Sequence, residues 1–203
     1  MITVYHLNES RSLRILWLLE ELDAPYQIVR FTRDPATRRA PPELAKVHPL
    51  GKSPVIRDGE LLLAESGAIV EYLVERHGGG RLVPRPETAA HAGYLQWLHF
   101  AEGTAMLPLL LDLFLGMGLI PGGKESPLGG FVKQELARQL DYVNEELGEK
   151  PFLLGAFTAA DVMMGFPLDF AERQGYLASH PRLRDYVARL RARPAYVRAQ
   201  AAA

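Results

Sequence analysis

The chain has 203 residues, 23 Lys and Arg against 24 Asp and Glu, 48% hydrophobic residues and no cysteine. That length suits one large domain or two small ones, with enough apolar residues for a packed core. The net charge of −1 supplies no basic field for phosphates and argues against nucleic acid as the main partner, and zero cysteines remove disulfides, thiolate metal sites and a protein thiol nucleophile.

In chain order, Ile2 to His6 alternates around Val4 and reads as a strand. It precedes Arg11 to Leu22, where Leu13, Leu16, Trp17 and Glu20 fall at helical spacing. Asp23-Ala24-Pro25 stops that helix, and Tyr26 to Phe31 carries β-type residues on both sides, predicting a second strand. After the polar, proline-containing stretch Thr32 to Pro42, two short runs around Asp58-Gly59 predict a hairpin over Val55 to Leu63. Ala68 to His77 then reads as a helix closed by three glycines, and Gly78 to Glu87 as a linker. Beyond it no strand pattern remains. Helices are predicted for Thr88 to about Ile120, Gly130 to Leu147, Ala159 to about Gln174, and Pro181 to Arg193 before Pro194. The expected fold class is an α/β N-terminal domain followed by an all-α C-terminal domain. The apolar run Met106 to Ile120 is short for a bilayer and interrupted by Pro108, Asp112, Gly116 and Gly118, so it is expected to be a buried helix and no membrane span is predicted. Arg11 and Arg14 follow the first strand at once, which does not suit a secretory signal, and the expected location is cytoplasmic.

Three segments carry candidate chemistry. In Ser10-Arg11-Ser12, where a strand hands over to a helix, a hydroxyl beside unpaired helix-start amides suits a thiolate or another anion; the same serines would also serve as plain caps. Tyr5 is a further hydroxyl nearby, with an ordinary strand role as its alternative. In His48 to Val55, Pro54 just before a strand is where a cis peptide can sit, turning the backbone of Ser53 outward to pair with a peptide-like ligand; an ordinary trans turn into an edge strand is the alternative. In Glu65-Ser66-Gly67, a carboxylate beside a hydroxyl at a helix start offers an acceptor for an ammonium and donors for a carboxylate, matching the α-amino acid end of a ligand, while capping by Ser66 is equally open. Thr158-Ala159-Ala160-Asp161 has the form of a structural capping box. His99 and Glu102, three apart on one helix face, are too few for a metal site, and none is predicted.

These segments, in this order on such a β-α-β-β-β-α unit followed by helices, resemble the cytosolic glutathione transferase family over essentially the whole chain. The most specific pieces are Gly-Lys-Ser-Pro-Val at 51 to 55 and Glu-Ser-Gly-Ala-Ile-Val-Glu-Tyr-Leu at 65 to 73, with Phe157 to Asp161 in support. Tyr5 to Ser12 and Trp97 to Gly103 are similar to a fungal and bacterial branch. The resemblance implies a thioredoxin-like glutathione-binding domain over 1–80 and an all-helical domain over 87–203 forming the acceptor pocket. It implies that Glu65 and Ser66 hold the γ-glutamyl end of glutathione, that Ser53 before a cis Pro54 pairs with the cysteinyl backbone, and that Lys52, with Arg39 as a second candidate, lies near the glycine carboxylate. Ser10 matches the serine that favours the glutathione thiolate in the serine-type classes, Ser12 stands beside it, and Tyr5 keeps a tyrosine-type reading open. The physics agrees, because a thiol is a nucleophile only when ionised. Cysteine-dependent members are set aside by the absence of cysteine. The implied activity is conjugation of glutathione, a co-substrate with no further cofactor, to a hydrophobic electrophile in detoxification. A homodimer is implied, with Glu102 near the neighbour's glutathione ammonium. The alternatives on the same fold are a non-catalytic glutathione-binding or regulatory protein, or a glutathione-dependent peroxidase or isomerase.

Overall fold

A computed structural model describes all 203 residues. They form two compact units, Met1–Val83 with Arg191–Ala203, and Pro84–Leu190. This differs from the linear division expected at the linker, because the end of the chain belongs to the first unit.

In the first unit, β1 (Ile2–Leu7), α1 (Ser12–Glu21) and β2 (Tyr26–Phe31) form a β-α-β unit, followed by the short α2 (Glu43–Val47), β3 (Val55–Asp58), β4 (Leu61–Ala64) and α3 (Ser66–His77). The sheet order is β2-β1-β3-β4; β1 and β2 run parallel, and the other two pairings are antiparallel. A parallel pair needs a crossover connection, and α1 supplies it. Ile2, Val4 and Leu7 of β1 are buried, together with Ile15, Leu16, Leu18 and Leu19 of α1 and Ile69, Val70 and Leu73 of α3, so a helix-covered sheet forms the core. The hairpin between β3 and β4 closes over Gly59-Glu60, and Gly59, at φ +58, supplies the left-handed backbone that so tight a loop requires.

The sequence pattern does not show a ninth helix, α9 (Pro194–Ala202). Arg193 is extended, as a residue before proline prefers, and the helix restarts at Pro194. It packs on α1: Tyr196 meets the Trp17 ring edge-on at 5.1 Å, and Arg193 grips the Glu21 carboxylate through Nε (2.6 Å) and Nη2 (2.8 Å).

In the second unit α4 (Ala89–Phe100) runs through a π-helical segment (Ala101–Ala105) into α5 (Met106–Gly116), followed by α6 (Pro127–Leu147), α7 (Ala159–Arg173) and α8 (Pro181–Arg191). The π segment has an identifiable cause. Pro108 has no N–H for the carbonyl of Thr104, four residues back, and the ladder slips by one, the Met106 N–H reaching the Ala101 carbonyl. Helix α5 stops at Gly116 rather than near Ile120. Gly118 turns left-handed (φ +70) and Leu119 N–H closes back on the Phe114 carbonyl at 3.0 Å, the pattern of a glycine-terminated helix. Helix α6 begins three residues before the expected Gly130, capped by Ser126 Oγ, which accepts the Gly129 N–H at 3.1 Å ahead of Pro127. The Ala89–Gly116 run is long and apolar enough to span a membrane by length and composition alone, and within this unit it packs against α6 and α7. The capping box at the start of α7 is present as expected. Buried Asp161 accepts from Leu153 N–H (3.0 Å), Thr158 N–H (2.8 Å) and Tyr186 Oη (2.7 Å).

Candidate active site

The sheet register brings the three candidate segments to one end of the first unit. Val55, the first residue of β3, pairs with Ala64, the last of β4, and with Tyr5 near the end of β1. The residues just outside those pairs are Ser53-Pro54 before β3, Glu65-Ser66 after β4, and Asn8 to Ser12 after β1. Segments far apart in sequence therefore share one sheet edge. Ser53 Oγ ties two of them, donating to the Tyr5 carbonyl at 2.9 Å.

The Ser53–Pro54 peptide is cis, and it leads into an interior strand rather than an edge. Glu65 is the residue before α3 and Ser66 its first helical residue, buried. Plain capping by Ser66 is therefore not what the structure contains. Glu65 is exposed and holds φ +74, ψ 120, a backbone region that residues with a side chain rarely occupy.

The β1–α1 turn carries a hydrogen-bonded chain of three buried side chains. Ser10 Oγ lies 2.7 Å from Ser12 Oγ, which lies 2.9 Å from His6 Nδ1. Ser10 Oγ also accepts the Ser12 N–H at 3.2 Å, so it does serve the helix start, and Ser12 Oγ accepts the Leu7 N–H at 3.3 Å. Ser12 has no exposed surface, whereas Ser10 retains 7%. Burial first, and then the positive charge of Arg30 opposite it on β2, holds the His6 imidazole below its ordinary pKa, so it stays neutral. Arg33 braces the same turn: Nε donates to the Asn8 carbonyl (3.2 Å) and Nη2 to the Glu9 carbonyl (3.4 Å), while its own N–H reaches Asn8 Oδ1 at 2.8 Å. Glu9, at φ +50, is further tied by its carboxylate to Arg38.

The remaining candidates separate. Tyr5 neighbours His6 on β1 and so faces the other side of the sheet, where its hydroxyl accepts from Arg57 Nε at 3.3 Å. Lys52 is exposed beside Ser53, and Arg39 is exposed in the irregular segment before α2. Glu102 lies half-buried on the π segment of the second unit, near exposed His99. No group of three or more His, Asp or Glu side chains is placed to hold a metal ion. Sequence reasoning missed His6 and Arg33. A histidine at an inward position of a buried strand, six residues before a serine, was the available signal for the first.

Residues 1–75 match the family described as glutathione S-transferase, N-terminal domain, and residues 124–189 the glutathione S-transferase C-terminal domain. Among curated relatives, glutathione S-transferase 3 of Schizosaccharomyces pombe is 37% identical over 89% of this chain and 78% of its own. Glutathione S-transferase 1 of Saccharomyces cerevisiae is 31% identical over 88% and 84%. Among solved structures, a glutathione S-transferase from Actinobacillus pleuropneumoniae superposes with a TM-score of 0.90 at 32% identity, covering 99% of this chain and 92% of that one. A Pseudomonas fluorescens family member with two glutathione molecules bound matches with a TM-score of 0.77 at 26% identity, covering 98% and 91%. The chain belongs to the glutathione transferase family. It is an enzyme of that class, built from the N-terminal domain with its mixed four-stranded sheet and the helical C-terminal domain.

Proposed function

We propose that the first unit binds reduced glutathione at the shared end of β1, β3 and β4, and that the enzyme conjugates its thiol to electrophilic small molecules. The observation that carries this reading is the register itself, which assembles Ser10, Ser53-Pro54 and Glu65-Ser66 from three separate turns. In this reading Glu65 receives the γ-glutamyl ammonium and Ser66 its carboxylate. The Ser53 backbone pairs with the cysteinyl residue, and Lys52, with Arg39, neutralises the glycine carboxylate. Ser10, the least buried member of its hydroxyl chain and just ahead of α1, donates to the sulfur and favours the thiolate, helped by the helix-start amides. Tyr5 has no part in it, because its hydroxyl meets Arg57 on the other face.

The hydrophobic acceptor is assigned to the helical domain. A partly open apolar pocket there, lined by Phe100, Leu109, Leu140, Val143, Met164 and Leu168, measures about 20 Å³ and is too small for a drug-sized ligand. The acceptor therefore needs a larger surface than that pocket. A homodimer in which Glu102 approaches the neighbour's glutathione, and a cytoplasmic role in detoxification, belong to the same reading.

Calorimetric titration with reduced glutathione, repeated on a Glu65→Ala, Ser66→Ala double variant, tests the site; binding lost in the variant is the expected result. Turnover with an aryl-halide electrophile then tests the chemistry. Ser10→Ala is expected to lower kcat about a hundredfold while glutathione still binds. Undiminished turnover in that variant removes Ser10 from the role.

A further inference from the structure

The hydroxyl chain behind Ser10 has a direction, and proton counting shows what sets it. A serine hydroxyl has one proton and two lone pairs. One lone pair of Ser12 Oγ is taken by the Leu7 N–H at 3.3 Å. One proton and one lone pair remain for its two close neighbours, Ser10 Oγ at 2.7 Å and His6 Nδ1 at 2.9 Å, the Leu7 carbonyl being more distant at 3.4 Å. Ser10 and His6 must therefore take opposite roles. Either His6 Nδ1–H donates to Ser12 and Ser12 donates to Ser10, or Ser10 donates to Ser12 and Ser12 donates to a bare Nδ1.

The two directions present different groups to a ligand. In the first, Ser10 Oγ accepts from both the Ser12 hydroxyl and the Ser12 N–H (3.2 Å), so its lone pairs are used and its own proton points outward. In the second that proton is turned inward, leaving a lone pair that favours a protonated thiol over a thiolate. His6 settles the choice. Its ring is neutral and so carries a single N–H, and Nδ1 is the ring nitrogen with a protein partner. A proton on Nδ1 is paired with Ser12 Oγ, whereas a proton on Nε2 meets no protein acceptor.

We infer that His6 is a positioning residue for Ser10, carrying its proton on Nδ1 and, through Ser12, leaving the Ser10 hydroxyl as a donor aimed at the sulfur of bound glutathione. The inference rests on the reading of Ser10 given above. No proton is transferred along the chain. Each donor polarises the next, which strengthens the last hydrogen bond.

The tautomer is read directly in wild-type protein, with glutathione bound, from the nitrogen chemical shifts of labelled histidine. A protonated Nδ1 is expected, and a proton on Nε2 overturns the proposal without any variant having to fold. His6→Phe is expected to raise the pKa of the bound thiol, followed by thiolate ultraviolet absorption, by about one unit and to lower kcat about tenfold, with glutathione affinity kept within about twofold. His6→Asn, whose amide N–H reaches the same place, is expected to restore most of both. In a Ser10→Ala background His6→Phe should add nothing. A thiol pKa that moves in Ser10→Ala but not in folded His6→Phe defeats this inference alone. One that does not move in Ser10→Ala defeats the reading of Ser10, and the inference with it.

Discussion

Glu65 is the site candidate with the most unusual backbone. A side chain held at φ +74, ψ 120 costs on the order of 1–3 kcal/mol and persists only where the surroundings impose it. Glycine, with no Cβ, adopts a positive φ at lower cost. Glu65→Gly is therefore expected to raise stability by about 1 kcal/mol in chemical denaturation while abolishing glutathione binding in calorimetry; a variant that is both less stable and still binds contradicts the assignment. The placement of Glu65 and Ser10 at strand–helix boundaries was legible in the sequence, because the strand and helix patterns on either side are local. His6 was not, because its neighbours along the strand show only alternation. Its partner lies six residues on, across a turn held by Asn8, Glu9 and Arg33, and nothing in the linear pattern states that the Ser12 hydroxyl reaches back to it.

Between elements, the contact of α1 with α9 is the clearest case of one helix holding another in place. Besides the Arg193–Glu21 pair, Arg198 Nε donates to Glu20 at 2.5 Å, and Tyr26 Oη on β2 donates to the same side chain at 2.7 Å. Burial opposes ionisation of Glu20, but the hydrogen bonds from Arg198 and Tyr26 outweigh it and hold the carboxyl below its ordinary value near 4.5. The folded chain thus binds this proton less readily than the unfolded one. Its contribution is present above about pH 4.5 and is lost as the pH falls through the depressed value. Denaturant midpoints measured against pH should fall more steeply below that point in the wild type than in Glu20→Gln. Equal acid limbs would mean that the contact carries no linked stability. At this scale the sequence was readable where a local rule governs, as at the Thr158–Asp161 box. It was unreadable at the π segment, because the apolar spacing there continues while Pro108 shifts the hydrogen bonds beneath it.

For the whole molecule, the order of elements was legible and the allegiance of the last one was not. Composition marks Gly78 to Glu87 as a linker, and the units do part at Val83 and Pro84. Nothing local, however, tells a short terminal helix to cover α1 rather than its sequence neighbours. Ending the chain at Leu190 is expected to leave the second unit intact and to speed hydrogen exchange in α1 by about tenfold or more, as measured by mass spectrometry. Uniform acceleration in both units would mean that the terminal helix does not belong to the first unit alone. The placement of α9 also bears on how the chain is made. A growing polypeptide has all four strands and α1 outside the ribosome long before Pro194 to Ala202 emerge, and the intervening stretch of on the order of a hundred residues takes roughly 5–20 s to synthesise. During that interval the surface of Trp17 that Tyr196 later covers stays open, so the domain translated first is the one completed last.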